Sequence, residues 1–291
     1  MRIAAALLLV VSGCDILFQV QTVHLQPDAT IDAHVVIDAP GCWDAGYKGN
    51  EDNDTKIDGC DNCPLDDNED QLDTDGDGVG NVCDPHPSEP LEQRALFHPM
   101  TRYDAAEWVV RGNGNWQTNT SINDLGIKQA NVAVKATLLL KGKKFDQPYV
   151  ELLFRQGNLE QATSTVGAYV TRDGDTSTLA ISDGVACGLV GIEPRAYGHV
   201  KTNDMIFSVD APLGGMTPSH MGVGTRVAGK APADPVLPTC HVDRVGGGNK
   251  VEANPVLPLE ISGADRMNVG VYVIDASVTF TGMVVLERRA P

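Results

Sequence analysis

Apolar and polar residues follow three regimes along this chain. Ile3–Val11 is an uninterrupted apolar run. It is too short for a bilayer-crossing helix, which takes roughly 20 residues, and it follows the positive start Met1-Arg2 as a signal-peptide core does. From residue 15 to 92 neither the helical nor the strand period is present, and acidic residues dominate. Beyond residue 93 the pattern becomes strand-like. Asn131–Leu140 alternates and then runs apolar, and Tyr149–Arg155 and Asp204–Asp210 each read as a strand. Gly167–Ile181 reads as a hairpin turning at Asp173-Gly174, and Gly270–Glu287 supplies two strands joined near Asp275-Ala276. No stretch of ten residues carries a convincing helical period. The pattern predicts a mainly β protein, with an irregular acidic segment preceding an antiparallel β-sandwich of jelly-roll type.

Charge sharpens this division. Cys14–Glu92 holds 20 acidic residues against Lys48 and Lys56, a net of −18, whereas Gln93–Pro291 balances 19 acidic against 19 basic. With Arg2 the whole chain carries −17. Such local acidity repels phosphates and argues against nucleic acid as a partner. Residues 15–41, with Asp28-Ala, Asp32-Ala and Asp38-Ala-Pro, read as a spacer without packing logic. Only residues 93–291 can bury a large core. The expected organisation is therefore a signal segment (1–13), a spacer (14–41), an acidic module (42–92) and the sandwich (93–291).

The acidic module carries the most specific chemistry. Asp73, Asp75 and Asp77 alternate and are followed by Gly78. Calcium takes six to eight oxygen ligands, and alternating carboxylates closed by a glycine turn can supply several of them. Cys63 and Cys83 flank this loop and could pin a segment poor in apolar residues. An upstream stretch places Asn50, Asp52, Asp54, Asp58 and Asp61 at comparable positions, with Lys56 offering a carbonyl and Ile57 an apolar anchor. Thr55 stands there where glycine is wanted, so a solvated acidic loop is an equal alternative.

Taken together, Asp61-Asn-Cys-Pro64, Asn68, Asp70-Gln71, the Asp73–Gly80 run and Cys83-Asp84 resemble one thrombospondin type 3 repeat. The resemblance implies calcium as the ligand. It assigns Asp73, Asp75, Asp77, Asn81 and Asp84 to the stronger loop and adds Asn68 and Asp70 from the same repeat. Asn81 stands where the family has Asp, which removes one negative charge from the ligand set. Val11-Ser-Gly-Cys14 resembles a bacterial lipobox. That resemblance implies cleavage before Cys14, acylation of Cys14 and attachment to a membrane of the cell envelope, with the outer membrane or cell surface favoured. Trp108, Trp116 and the closing strands resemble concanavalin A-like or laminin G-like jelly rolls. Trp43, Trp108 and Trp116 could stack on sugar rings, although buried framework positions suit the last two better.

With Cys14 set aside for lipid, six cysteines remain, an even number that implies disulfides in an exported chain. Fifteen pairings are possible. Sequential order, Cys42–Cys60, Cys63–Cys83 and Cys187–Cys240, is the simplest, and the last would tie two late surface loops together. Cys60-x-x-Cys63 has no second ligand pair for zinc. The chain holds no GxSxG, HExxH or P-loop motif, and the nearest carboxylate pair beyond residue 93, Asp173-Gly-Asp175, sits at a glycine turn and not on one strand face as a glycanase pair does. His199, His220 and His241 read as isolated. The expectation is a calcium-binding surface lipoprotein, not an enzyme, whose calcium- and disulfide-stabilised stalk presents a β-sandwich for adhesion to a carbohydrate or protein. An anchored polysaccharide-degrading enzyme and a purely structural envelope protein are the alternatives. The ligand-binding residues are not identifiable from sequence.

Overall fold

The computed structural model describes Cys42, residues 47–52 and most of 54–289. Residues 1–41, 43–46, 53, 122–124, 133, 160, 173–183, 192–194, 203–204, 214–219, 228–235, 245–249, 255–265 and 290–291 lie outside the described residues. The signal segment, Cys14, the spacer, Trp43 and the Asp173-Gly174 turn fall among them, with most of the glycine- and proline-rich late loops.

Sixteen strands follow the acidic segment among the described residues. They are β1 (Glu92–His98), β2 (Trp108–Gly112), β3 (Trp116–Asn119), β4 (Gly126–Gln129), β5 (Lys135–Leu140), β6 (Phe145–Asp146), β7 (Tyr149–Leu159) and β8 (Thr165–Thr171), then β9 (Gly184–Val190), β10 (Arg195–Thr202), β11 (Met205–Pro212), β12 (His220–Val227), β13 (Val236–Asp243), β14 (Val251–Glu252), β15 (Arg266–Ile274) and β16 (Ala276–Arg288). They form two eight-stranded antiparallel sheets. The first runs β14-β13-β12-β7-β16-β4-β3, with β1 also on β16; the second runs β11-β10-β9-β8-β15-β5-β2, with β6 on β15.

Alternation along the strands builds the core between the sheets. Val150, Leu152 and Phe154 on β7 face Val166, Ala168 and Val170 on β8 and Val269, Val271 and Val273 on β15 in one buried cluster. Asp275, with φ 48°, is the one-residue corner by which the chain leaves β15 in the second sheet and enters β16 in the first. Its backbone is held on both sides, because its N–H donates to Val134 O at 2.7 Å and its carbonyl accepts from Ser164 Oγ at 2.7 Å.

All three disulfides join cysteines in sequence order. The third differs from the expected loop tie. Cys187 lies on β9 and Cys240 on β13, both fully buried, so the bond crosses the core from one sheet to the other.

The acidic segment is not a free-standing stalk. It contains a single short 3-10 turn, Asp58–Cys60, and it packs on the outer face of the first sheet. Leu65 and Val79, the fully buried aliphatic residues among the described part of the segment, join Phe97, Leu153, Val284 and Leu286 in a second buried cluster. Leu65 rests over Gly282 of β16, where a Cβ would come within 2.6 Å of Leu65 Cδ2. This covering explains why Met283–Leu286 is continuously apolar: β16 is buried on both of its faces.

Candidate functional site: the acidic segment

The second acidic loop is shaped by its own carboxylates. Asp73 accepts the backbone N–H groups of Gly76 (2.8 Å) and Gly78 (2.9 Å), Asp75 that of Asp77 (3.2 Å), and Asp77 those of Val79 (2.8 Å) and Glu92 (3.3 Å). Gly76 and Gly78 take φ of +76° and +92°, left-handed values that side chains resist. The turns thereby direct Asp73, Asp75 and Asp77 to one point, with an oxygen from each within 4.8 Å of the others.

The first loop gathers Asp52, Asp54 and Asp61 in the same way. Asp58, also fully buried, accepts the Glu51 N–H at 3.0 Å. The two loops are bound to each other, since the Glu69 carboxylate takes both the N–H and the hydroxyl of Thr55. A third group, Asp84, His86 and Glu92, closes the segment where it enters β1.

The sequence-selected residues therefore divide. Asp52, Asp54 and Asp61 converge, and Asp73, Asp75 and Asp77 converge. Asp84 groups with His86 and Glu92, and its carboxyl also feels the charges of Asp77 and Asp75. Three amides are occupied with folding the chain. Asn50 Nδ2 donates to the carbonyls of Asp54 and Lys56. Asn68 Nδ2 donates to Asn62 Oδ1 at 2.6 Å, while its Oδ1 accepts from Gln71 Nε2 at 2.8 Å. Asn81 pairs twice with Thr74, closing the loop from its exposed side. Asp70 is exposed and accepts the N–H of Leu72 at 3.2 Å.

The electrostatics of the segment call for a cation. Burial pushes the carboxyl groups up, Asp52 to about 7, Asp58 to about 8, Asp61 to about 6 and Asp84 to about 7, and neighbouring carboxylates add to the effect. Asp77 is raised for the same reason, moderated by Arg289, whose guanidinium donates to the Asp77 carbonyl at 2.8 Å. One oxygen each of Asp52, Asp58, Asp75, Asp84 and Glu92 is buried without a hydrogen-bond partner. Orphaned, crowded carboxylate oxygens on a glycine-bearing loop are the donor set that a hard divalent cation takes.

Elsewhere the structure bears out the framework reading of Trp108 and Trp116 and corrects the reading of two histidines. Trp108 and Trp116 are buried, against His98 and Phe280 respectively, and offer no platform to a sugar. His220 and His241 are not isolated. They lie on neighbouring strands with ring centroids 5.6 Å apart, beside Glu151, Asp243 and Asp66. Cross-strand register brings Glu151, His220, His241 and Asp243 together from positions up to 92 apart in the chain, the acidic segment adds Asp66, and no local spacing signals it. His199 lies on β10 opposite Ala186 and Ser208, away from this group.

No protein-family profile matches the chain, and no curated protein matches it. Among solved structures, the chain is similar in outline to the carbohydrate-binding module CBM66 from Bacillus subtilis at 12% identity, over 62% of this chain and 94% of that one, with a TM-score of 0.39. The Emp46p carbohydrate recognition domain gives 14% identity, 65% and 94% coverage and a TM-score of 0.43. The laminarinase from Rhodothermus marinus gives 11%, 68% and 98%, and 0.45. At these values no ligand or activity passes from those proteins to this chain.

Proposed function

We propose that this protein is a calcium-binding, envelope-anchored lipoprotein, attached through Cys14, whose acidic segment belongs to the thrombospondin type 3 class. In this reading its β-sandwich serves as an adhesion or recognition domain for a carbohydrate or protein. The observation that carries the proposal is the set of buried, partnerless carboxylate oxygens in a segment closed by two disulfides. Asp73, Asp75 and Asp77 would hold calcium on the second loop, and Asp52, Asp54 and Asp61 on the first. Bound calcium would supply the positive charge that keeps these carboxylates ionised and the segment ordered. Packing on the first sheet means that calcium would act on the presenting domain itself, not only on a spacer beneath it.

Binding is favoured over hydrolysis by the location of the carboxylates that converge on the sandwich. Glu151 and Asp243 flank His220, but Glu151 is 3% exposed and His220 1%, so a polysaccharide chain has no access to them. The deciding measurement is calorimetric calcium titration of the protein, with Asp75→Ala and Asp77→Ala beside it. Saturable uptake that both substitutions weaken is the expected result. Heat indistinguishable from dilution in the unaltered protein would leave the acidic segment a disulfide-held cover of the first sheet with no calcium role.

A further inference from the structure

The cluster around His220 lies outside the calcium-type loops and has a different chemistry. Register sets Glu151 of β7 opposite Gly222 of β12, and Gly222 opposite His241 of β13; one pleat further, His220 stands opposite Asp243. Glu151, His220, His241 and Asp243 therefore project from one face of the first sheet, the outer one. The acidic segment closes over this face and brings Asp66 to 3.5 Å from His220 Nδ1. The chamber is sealed, since all five residues are buried.

The two imidazoles are oriented alike. His220 Nδ1 is engaged by Asp243 Oδ1 at 2.7 Å, and His241 Nδ1 by the Tyr149 hydroxyl at 3.0 Å. Both Nε2 atoms are thereby turned toward Glu151: His220 Nε2 touches Glu151 Oε2, and His241 Nε2 lies 3.6 Å from Glu151 Oε1. Gly222 provides the floor. A Cβ there would stand 2.1 Å from His241 Cε1, so the ring reaches across β12 only because the residue beneath it is glycine.

His220 pairs closely with Glu151 and Asp243, and these pairs do not satisfy the cluster. Glu151 Oε2, both ring nitrogens of His220, His241 Nε2 and Asp243 Oδ1 are buried at close range without a hydrogen bond of acceptable direction. One ligand atom from each of Glu151, His220 and His241 lies within 4.8 Å of the others, as atoms around a common ion do. The cluster is also rich in carboxylates. Three buried carboxylates face two imidazoles, and the neighbouring Lys250 is exposed. Buried excess charge is costly unless a cation offsets it.

We infer that Glu151, His220 and His241 form a binding site for a divalent transition ion of the zinc class. Asp243 and Tyr149 are its positioning residues, and Asp66 fastens the acidic segment over it. Two imidazole nitrogens and a carboxylate suit zinc, whereas calcium takes all-oxygen sets. The Asp243–His220 and Tyr149–His241 contacts are the outer partners that fix the ring orientation of metal-bound histidines. The site does not rest on the calcium reading.

The test uses the full chain, stripped with a strong chelator, incubated with zinc in excess calcium, desalted and assayed for bound metal by mass spectrometry. The expected result is a single retained zinc equivalent per chain. His220→Gln and His241→Gln should abolish its retention, and Asp243→Asn should weaken affinity about 10–100-fold. Calcium binding should survive all three, while Asp75→Ala should lose calcium and keep zinc. Near-ultraviolet circular dichroism checks that each variant is folded. If the histidine variants do not fold, the cobalt-loaded unaltered protein decides, because intense visible d–d bands require the low-coordinate geometry of a zinc-type site and are weak in a six-coordinate all-oxygen one. Absence of those bands overturns the inference. So does a folded protein that takes up no zinc, or a folded histidine variant that retains zinc undiminished.

Discussion

At the scale of single residues, the acidic segment is a set of carboxylates held where they are uncomfortable when charged. Asp52, Asp58, Asp61 and Asp84 titrate at about 7, 8, 6 and 7 in the folded chain, against an ordinary value of 3.8. The folded state then binds more protons than the unfolded one between those values. The stability these groups contribute is full below about pH 4 and is lost as pH rises toward 8. His241, pushed down to about 4 by burial, works in the opposite sense between about 4 and 6.5, and Asp66, pushed up to about 8 by burial, works in the same sense as the four. In chelator, the urea midpoint should therefore fall from pH 5 to pH 8. In saturating calcium the decline should flatten, because the cation replaces the protons, so the stabilisation by calcium should grow with pH. A calcium effect that is constant or shrinking over this range would show that the carboxylates are not its ligands. The alternation of Asp73, Asp75 and Asp77 was legible because the loop builds its group from neighbours two residues apart. The hydrogen bonds of Asn50, Asn68 and Asn81 were not, because an amide can bond to backbone or to side chains several residues away, and the sequence does not say which.

At the scale of elements, the strands were readable wherever one face is buried. Tyr149–Arg155 lies within β7, and the pair meeting near Asp275-Ala276 is β15 and β16. What alternation could not show is which sheet each strand enters, and this decides the path of the Cys187–Cys240 bond and the grouping of the two histidines. Nor could it show that the acidic segment has a partner surface. Leu65 and Val79 are two apolar residues among many acids, and their weight comes from Phe97, Leu153, Val284 and Leu286 beneath them. Leu65→Ala should remove about 2–5 kcal/mol of stability, the range for a buried leucine. It should also loosen the segment, seen as faster hydrogen exchange at residues 62–80 with strands β8 and β9 unchanged. Exchange that quickens equally throughout would mean that Leu65 supports the whole sandwich rather than this contact. Replacing Cys187 and Cys240 by alanine opens a bridge spanning 53 residues and should cost about 2–5 kcal/mol without altering calcium uptake.

At the scale of the whole molecule, calcium is expected to govern how many cooperative units the described fold contains. The acidic segment is tied to the sandwich by apolar contact at Leu65 and Val79, by Asp77 accepting the Glu92 N–H, by Arg289 on the Asp77 carbonyl and by Asp66 over His220. All four ties are made by residues whose placement depends on the acidic loops or on the chain between them. With calcium bound the loops hold their shape, the ties act together, and segment and sandwich should melt in one calorimetric transition. In chelator, repulsion among the buried carboxylates opposes the loop geometry and the ties weaken in concert. The two sheets keep their own core and the disulfide across it. A low-temperature transition from the segment should then separate from a later one from the sandwich, and limited proteolysis should cut between residues 47 and 89 before touching the strands. Coupling through the first sheet requires both changes to reverse when calcium is restored. An acidic segment that resists protease equally with and without calcium would show that its two disulfides and apolar contacts hold it unaided, and the regulatory part of the proposal would fall.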